Sequence, residues 1–135
     1  MIRAVIDTNV IVSGLLFGGV PLKVVQSGLT KNFTWVTSPS LIEETERVMR
    51  SVKFGLSERE IQILTSPIFS ITEIVVPVNT LNVIQRCPAD NRVLECALEG
   101  KCSVIVTGDR RDLLSLEKFH QIQILSPKNF LTQIV

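Results

Sequence analysis

Short apolar, β-branched runs alternate along the chain with longer stretches of helical periodicity. Residues 2–6, 33–37, 71–77, 103–106 and 122–125 read as strands, the first and fourth so uniformly apolar that both faces must be covered. Between them lie helix signals. Asp7-Thr8-Asn9 precedes the apolar run 10–17, and Gly18-Gly19 with Pro21 breaks that helix before a second one at 21–28. Ser38-Pro39 opens a helix with Leu41, Ile42, Thr45, Val48, Met49 and Val52 on one stripe. Ser57 and Glu60 form a capping box for another helix, which Pro67 ends or kinks. Pro88-Ala89-Asp90 leads into a helix over 91–99 closed by Gly100, a short helix ends near Lys118, and Ser126-Pro127 caps the last one. Strict alternation of strand and helix predicts one domain over residues 1–135. Its expected class is α/β, a three-layer α/β/α sandwich around a central, mostly parallel five-stranded sheet.

This architecture gives certain carboxylates a common address. Ligands of open parallel sheets bind outside the carboxyl ends of the strands. Asp7 directly follows strand one, Asp109 follows strand four, and Asp90 starts the helix that feeds strand four. Adjacent strands are only ~4.8 Å apart, so acids at their ends come within metal-bridging distance. Crowded carboxylates repel unless protons or cations neutralise them, and hard oxygen donors favour Mg²⁺ or Mn²⁺. Each of these aspartates also stands where a helix N-cap would stand, so capping is the competing explanation. A fourth acid comes from Glu43, Glu44 or Glu46. The helical wheel turns Glu43 to solvent and leaves Glu44 and Glu46 equivalent on either side of the apolar stripe.

Composition narrows the chemistry further. Apolar residues make up 45% of the 135, charged residues 20%, and the net charge is +1, the profile of a folded globule without a strong global field. No apolar run approaches the ~20 residues of a membrane span, so no membrane partner is expected. One histidine, His120, makes histidine-based zinc sites and serine–histidine triads hard to build. Three cysteines, Cys87, Cys96 and Cys102, without metal spacing suit free thiols in a reducing cytoplasm. Neither a dinucleotide Gly-x-Gly-x-x-Gly nor a P-loop is present, and Asn9 stands where aspartyl-phosphate enzymes place a second aspartate. Basic residues cluster locally at Arg47, Arg50 and Lys53, at Arg86 and Arg92, and at Arg110-Arg111. The last pair, next to Asp109, are candidate phosphate contacts.

Four segments in order carry a family likeness: Val5-Ile6-Asp7-Thr8-Asn9-Val10, Ser38-Pro39-Ser40-Leu41-Ile42-Glu43-Glu44, Pro88-Ala89-Asp90-Asn91-Arg92-Val93-Leu94-Glu95, and Val104-Ile105-Val106-Thr107-Gly108-Asp109 continuing to Leu114. With them the chain resembles the PIN-domain family, particularly its short prokaryotic VapC-like toxins. The resemblance implies Asp7, Glu44, Asp90 and Asp109 as the catalytic, metal-holding quartet, with Asp112 joining through water and Asn9 and Thr107 orienting the acids. It implies Mg²⁺ or Mn²⁺, endonucleolytic cleavage of RNA by an activated water, a homodimer, and an antitoxin partner. The competing expectation is a PIN scaffold, weak or inactive in catalysis, that binds RNA or a protein. Cys87 departs from many relatives, which carry aspartate there.

Overall fold

The computed structural model describes residues 1–134 apart from Arg86 and Arg110. Six strands form one sheet in the order β3-β2-β1-β4-β6-β5. They are β1 (Arg3–Ile6), β2 (Thr34–Thr37), β3 (Glu73–Ile74), β4 (Val104–Val106), β5 (Lys118–Phe119) and β6 (Ile122–Leu125). All neighbours run parallel except β5, which pairs antiparallel with β6. The sixth strand corrects the expected five. It is a two-residue edge segment turning straight back onto β6, too short to leave a periodic signal.

Alternation along each strand divides the core into two layers. Val5, Val36, Ile105 and Ile124 face one side, packing against Leu41 of α3 (Pro39–Met49), Val93, Leu94 and Ala97 of α5 (Pro88–Glu99) and Leu113 of α6 (Leu113–Leu116). Ala4, Ile6, Val104, Val106 and Trp35 face the other, covered by α1 (Thr8–Phe17), α2 (Gly19–Leu29), Ile68 of α4 (Glu58–Ile71) and Phe130 of α7 (Pro127–Ile134). The α/β/α sandwich expected from the alternation is what forms. A satellite cluster of Val12, Met49 and Ile61 ties α1, α3 and α4 together.

Two departures from the expected elements have local causes. Pro67 lies inside α4 without ending it. Its ring is on the exposed face, and the carbonyl it deprives belongs to exposed Ile63, where water can serve as donor. Strand three, expected over 71–77, pairs only at Glu73 and Ile74. Beyond Val75 the chain leaves the sheet and runs along α5, held by side chains one turn apart. Glu99 Oε1 accepts from Val78 N at 3.3 Å and Glu95 Oε2 from Leu81 N at 2.7 Å. Asn91 Oδ1 accepts from Val83 N and Ile84 N at 2.9 and 2.8 Å, while its Nδ2 donates to Ile84 O at 2.8 Å.

The corner between α1 and α2 turns through 105° at Gly18 and Gly19, whose φ values of 75° and 71° favour glycine. Neither helix, nor any other single helix among the described residues, is long and apolar enough to cross a membrane. The two pack so closely that a Cβ on Gly14 would sit 2.9 Å from the backbone of Leu22 and Pro21. Gly14→Ala is therefore expected to lower stability by about 1–3 kcal/mol, the usual range for overpacking, as read by urea denaturation.

Candidate metal and active site

The sheet reverses its winding between β1 and β4. From β1 the chain moves outward through β2 and β3, then crosses back to lay β4 on the other side of β1. The carboxyl ends of these two strands open the crevice where doubly wound sheets bind ligands. Asp7 stands at the end of β1, its amide bonded to Val106 O at 2.9 Å, and Thr107 stands beside it at the end of β4.

Helix capping accounts for the three aspartates unequally. Asp7 occupies the N-cap position of α1, yet its side chain makes no capping bond. Its carboxylate turns toward β4 instead. Oδ2 accepts from Thr107 Oγ1 at 2.7 Å and from Asn9 Nδ2 at 3.2 Å, while among the described residues no side chain donates to Oδ1. Asn9 in turn accepts from Gly108 N at 3.3 Å, and Thr107 Oγ1 from Asp109 N at 3.0 Å. Asp90 lies in the first turn of α5, not at its N-cap, which is Cys87. Asp109 does retain a local role: Oδ1 accepts from the amides of Arg111 and Asp112 at 3.1 and 3.2 Å. For Asp7 and Asp90, then, capping does not account for the carboxylate.

Glu44 and Glu46, equivalent on the helical wheel, part company in space. Glu46 Oε2 accepts from Gln62 Nε2 of α4 at 2.9 Å. Glu44 Oε2 accepts from Thr8 Oγ1 at 3.2 Å, which puts it beside Asp7. Thr8 Oγ1 also lies 3.1 Å from Thr45 Oγ1, whose own proton can go to Leu41 O at 2.9 Å. Both hydroxyls are buried. Thr8 and Thr45 were absent from the sequence-based candidates, although a threonine in the middle of an apolar helical stripe was the available signal.

The acids thus form a row from Glu44 through Asp7 to Asp90, Asp109 and Asp112. A carboxylate oxygen from each of the last three lies within 4.8 Å of the other two. Charge crowding is visible in the protonation of the row. Burial, followed by the Glu44 and Asp109 charges, pushes Asp7 up to about 6 despite the Thr107 bond. Burial, proton sharing with Asp109 and the Asp7 charge push Asp90 to about 7. Desolvation alone would raise Asp109, but Asp90 and the backbone amides of its own turn outweigh it and hold Asp109 low. Among the described residues, buried Asp90 Oδ2 has no hydrogen-bond partner. An orphaned oxygen beside two aspartates whose pKa values are raised suits a hard divalent cation, which would supply the missing partner and neutralise the repulsion.

Two cavities flank this row. One, of about 230 Å³, lies between α3 and α5 at the Glu44 end, lined by Ser40, Glu43, Glu44, Arg47, Ala89 and Arg92. The other, of about 310 Å³, lies at the Asp112 end, where Arg111 and Ser115 face Val83, Ile84 and Gln85. Arg111 is therefore beside the row, as a phosphate contact requires; Arg110 falls outside the described residues. The cysteines take no part as free nucleophiles. Burial and the Asp90 charge raise the Cys87 thiol, and burial pushes Cys96 and Cys102 to about 12, so all three stay protonated.

Known proteins share the sequence pattern and fold of this chain. Over nearly its whole length the chain is similar to the uncharacterized protein MJ1680 of Methanocaldococcus jannaschii, with 31% identity over 145 residues covering 98% of this chain and 91% of that protein. Two solved structures share the fold. VapBC2 of Rickettsia felis, bound to a DNA fragment from its promoter, matches with a TM-score of 0.64 at 15% identity, over 93% of this chain and 98% of that one. PAE2754 of Pyrobaculum aerophilum matches with a TM-score of 0.63 at 11% identity, over 98% and 89%. The family model of the PIN domain matches residues 3–111, and on that match, with the archaeal relative beside it, the chain belongs to the PIN domain family.

Proposed function

We propose that this protein is a Mg²⁺- or Mn²⁺-dependent endoribonuclease, the toxin component of a toxin–antitoxin pair. The observation that carries the nuclease reading is the acid row at the β1/β4 crevice, where burial and neighbouring charge hold Asp7 and Asp90 well above the usual carboxylate range. Asp7, Glu44, Asp90 and Asp109 would hold the ion directly, with Asp112 at the edge of the row. When bound, a divalent ion there neutralises phosphodiester charge and lowers the pKa of a water.

The chain's own residues supply the rest. Thr107 and Asn9 fix Asp7 by occupying one oxygen, so that the other could serve as a ligand. Thr8 would position Glu44 beside Asp7 from the neighbouring helix. Asp90, held protonated near neutrality in the metal-free protein, would give up that proton to hold the ion. Arg111 is placed to receive a phosphate on the Asp112 side. The antitoxin partner is read from the fold neighbour solved as a VapBC2 complex, and a homodimer from the family resemblance.

The test is incubation of purified protein with end-labelled single-stranded RNA and Mn²⁺. Internal cuts with 5′-phosphate ends, abolished by EDTA, are expected. No cutting by protein whose melting temperature still rises with Mn²⁺ would leave a binding scaffold in place of a nuclease.

A positioning role for Thr8 has its own measurement. Thr8→Val is expected to weaken Mn²⁺ binding by about 10-fold or more, as loss of an outer partner does at metal sites, and Thr8→Ser to restore it. Calorimetric titration reads both.

A further inference from the structure

Resting on the nuclease reading, we propose that the cavity between α3 and α5 binds a backbone phosphate of the RNA strand next to the one cleaved, through Arg47 and Arg92. Glu44 belongs to both this cavity and the acid row, so the cavity opens directly onto the candidate metal site. Arg92 is held in place from one side only. Its Nη2 donates to Leu81 O at 3.2 Å and to the buried Glu95 carboxylate at 2.7 Å, and among the described residues neither Nε nor Nη1 meets an acceptor. Arg47, on the facing helix, is exposed and forms no ion pair among the described residues. Ser40 adds a hydroxyl, and exposed Glu43 is the one carboxylate in the cavity outside the acid row.

A guanidinium fixed in orientation by Glu95, with Nε buried and Nη1 unspent, opposite the exposed and unpaired guanidinium of Arg47, matches the planar chemistry of a phosphate. A cavity of about 230 Å³ admits one phosphate group and its sugar, not a duplex. It also lacks any aromatic side chain on which a base could stack, so the contact expected is to the backbone and indifferent to sequence. With the Arg111 cavity at the other end, the strand would lie across the acid row with cations on both flanks, offsetting the repulsion the row alone would exert on it.

The probe is a fluorescein-labelled single-stranded RNA, with binding read by anisotropy across a salt series in an Asp90→Asn background that silences cleavage. Each phosphate contact on a single strand contributes about 0.7 to the slope of log affinity against log salt, on the order of fivefold near 0.1 M. Arg47→Ala and Arg92→Ala are each expected to lose that much, and Arg92→Lys to keep most of the slope. A DNA strand of the same sequence should lose as much as RNA does. Arg47→Ala removes an exposed side chain that supports no other element, so its result stands even if Arg92→Ala disturbs the segment over α5. Unchanged affinity and slope in Arg47→Ala would overturn the proposal, as would a loss without a change in slope or one confined to RNA. The Mn²⁺-induced rise in melting temperature, measured with Asp90 in place, should be the same with and without the arginines. Its absence in wild type would count against the nuclease reading instead.

Discussion

Asp7→Asn will make the metal-free protein more stable at pH 8, although it alters a buried residue with two hydrogen bonds. The carboxyl group is 5% exposed and its pKa is raised from 3.8 to about 6, chiefly by burial and then by the neighbouring acids. The folded state therefore holds this proton more tightly than the unfolded chain does. Stability from this group is full below the unfolded value and is lost as pH climbs from about 4 to 6, staying low above that. A shift of about two units corresponds to roughly 3 kcal/mol. Asparagine removes that cost, and because Thr107 and Asn9 both donate to the same oxygen, an amide oxygen can accept both bonds. The gain in melting temperature over wild type should be near zero at pH 4 and on the order of 10 °C at pH 8. In Mn²⁺ the ranking should reverse: wild type rises and the variant, lacking a ligand, does not. Equal pH profiles for the two proteins would mean that Asp7 ionises without strain.

Asp90→Asn carries the largest expected effect on catalysis. It keeps the shape of the first turn of α5 but removes the orphaned buried oxygen and the proton that Asp90 shares with Asp109. RNA cleavage should fall on the order of a hundred- to a thousandfold, the size usual when one preorganised electrostatic contact is lost. Because the Thr107, Asn9 and Thr8 bonds do not involve Asp90, the fold and its thermal unfolding in EDTA should survive. Cleavage within tenfold of wild type would place the reacting centre elsewhere.

The sequence disclosed the parts of this molecule that depend on local pattern. β1 and β4 were readable because strands buried on both faces are apolar nearly throughout, and the caps at Ser38 and Ser57 because capping is local chemistry. The end of β3 was not readable. The chain departs from the sheet after Val75 because Asn91, Glu95 and Glu99, far along the chain, take over its amides, and no periodicity in residues 75–84 records that. The same distinction runs through the site. Asp7, Asp90 and Asp109 were placed by topology alone, whereas choosing Glu44 over Glu46 by physics needed partners 36 and 16 residues away, Thr8 and Gln62. Family resemblance had pointed to Glu44, and the hydroxyl pair of Thr8 and Thr45 gives that choice a geometric basis.

Whether the acid row is a divalent-metal site is read most directly by calorimetric titration with Mn²⁺ at about pH 6.5. With Asp7 near 6 and Asp90 near 7, both are partly protonated there, so binding must expel protons. Heats measured in buffers of different ionisation enthalpy should report close to one proton released per ion bound, and Asp7→Asn with Asp90→Asn should abolish both binding and release. Mn²⁺ binding that releases no proton, or that persists in the double variant, would contradict the account.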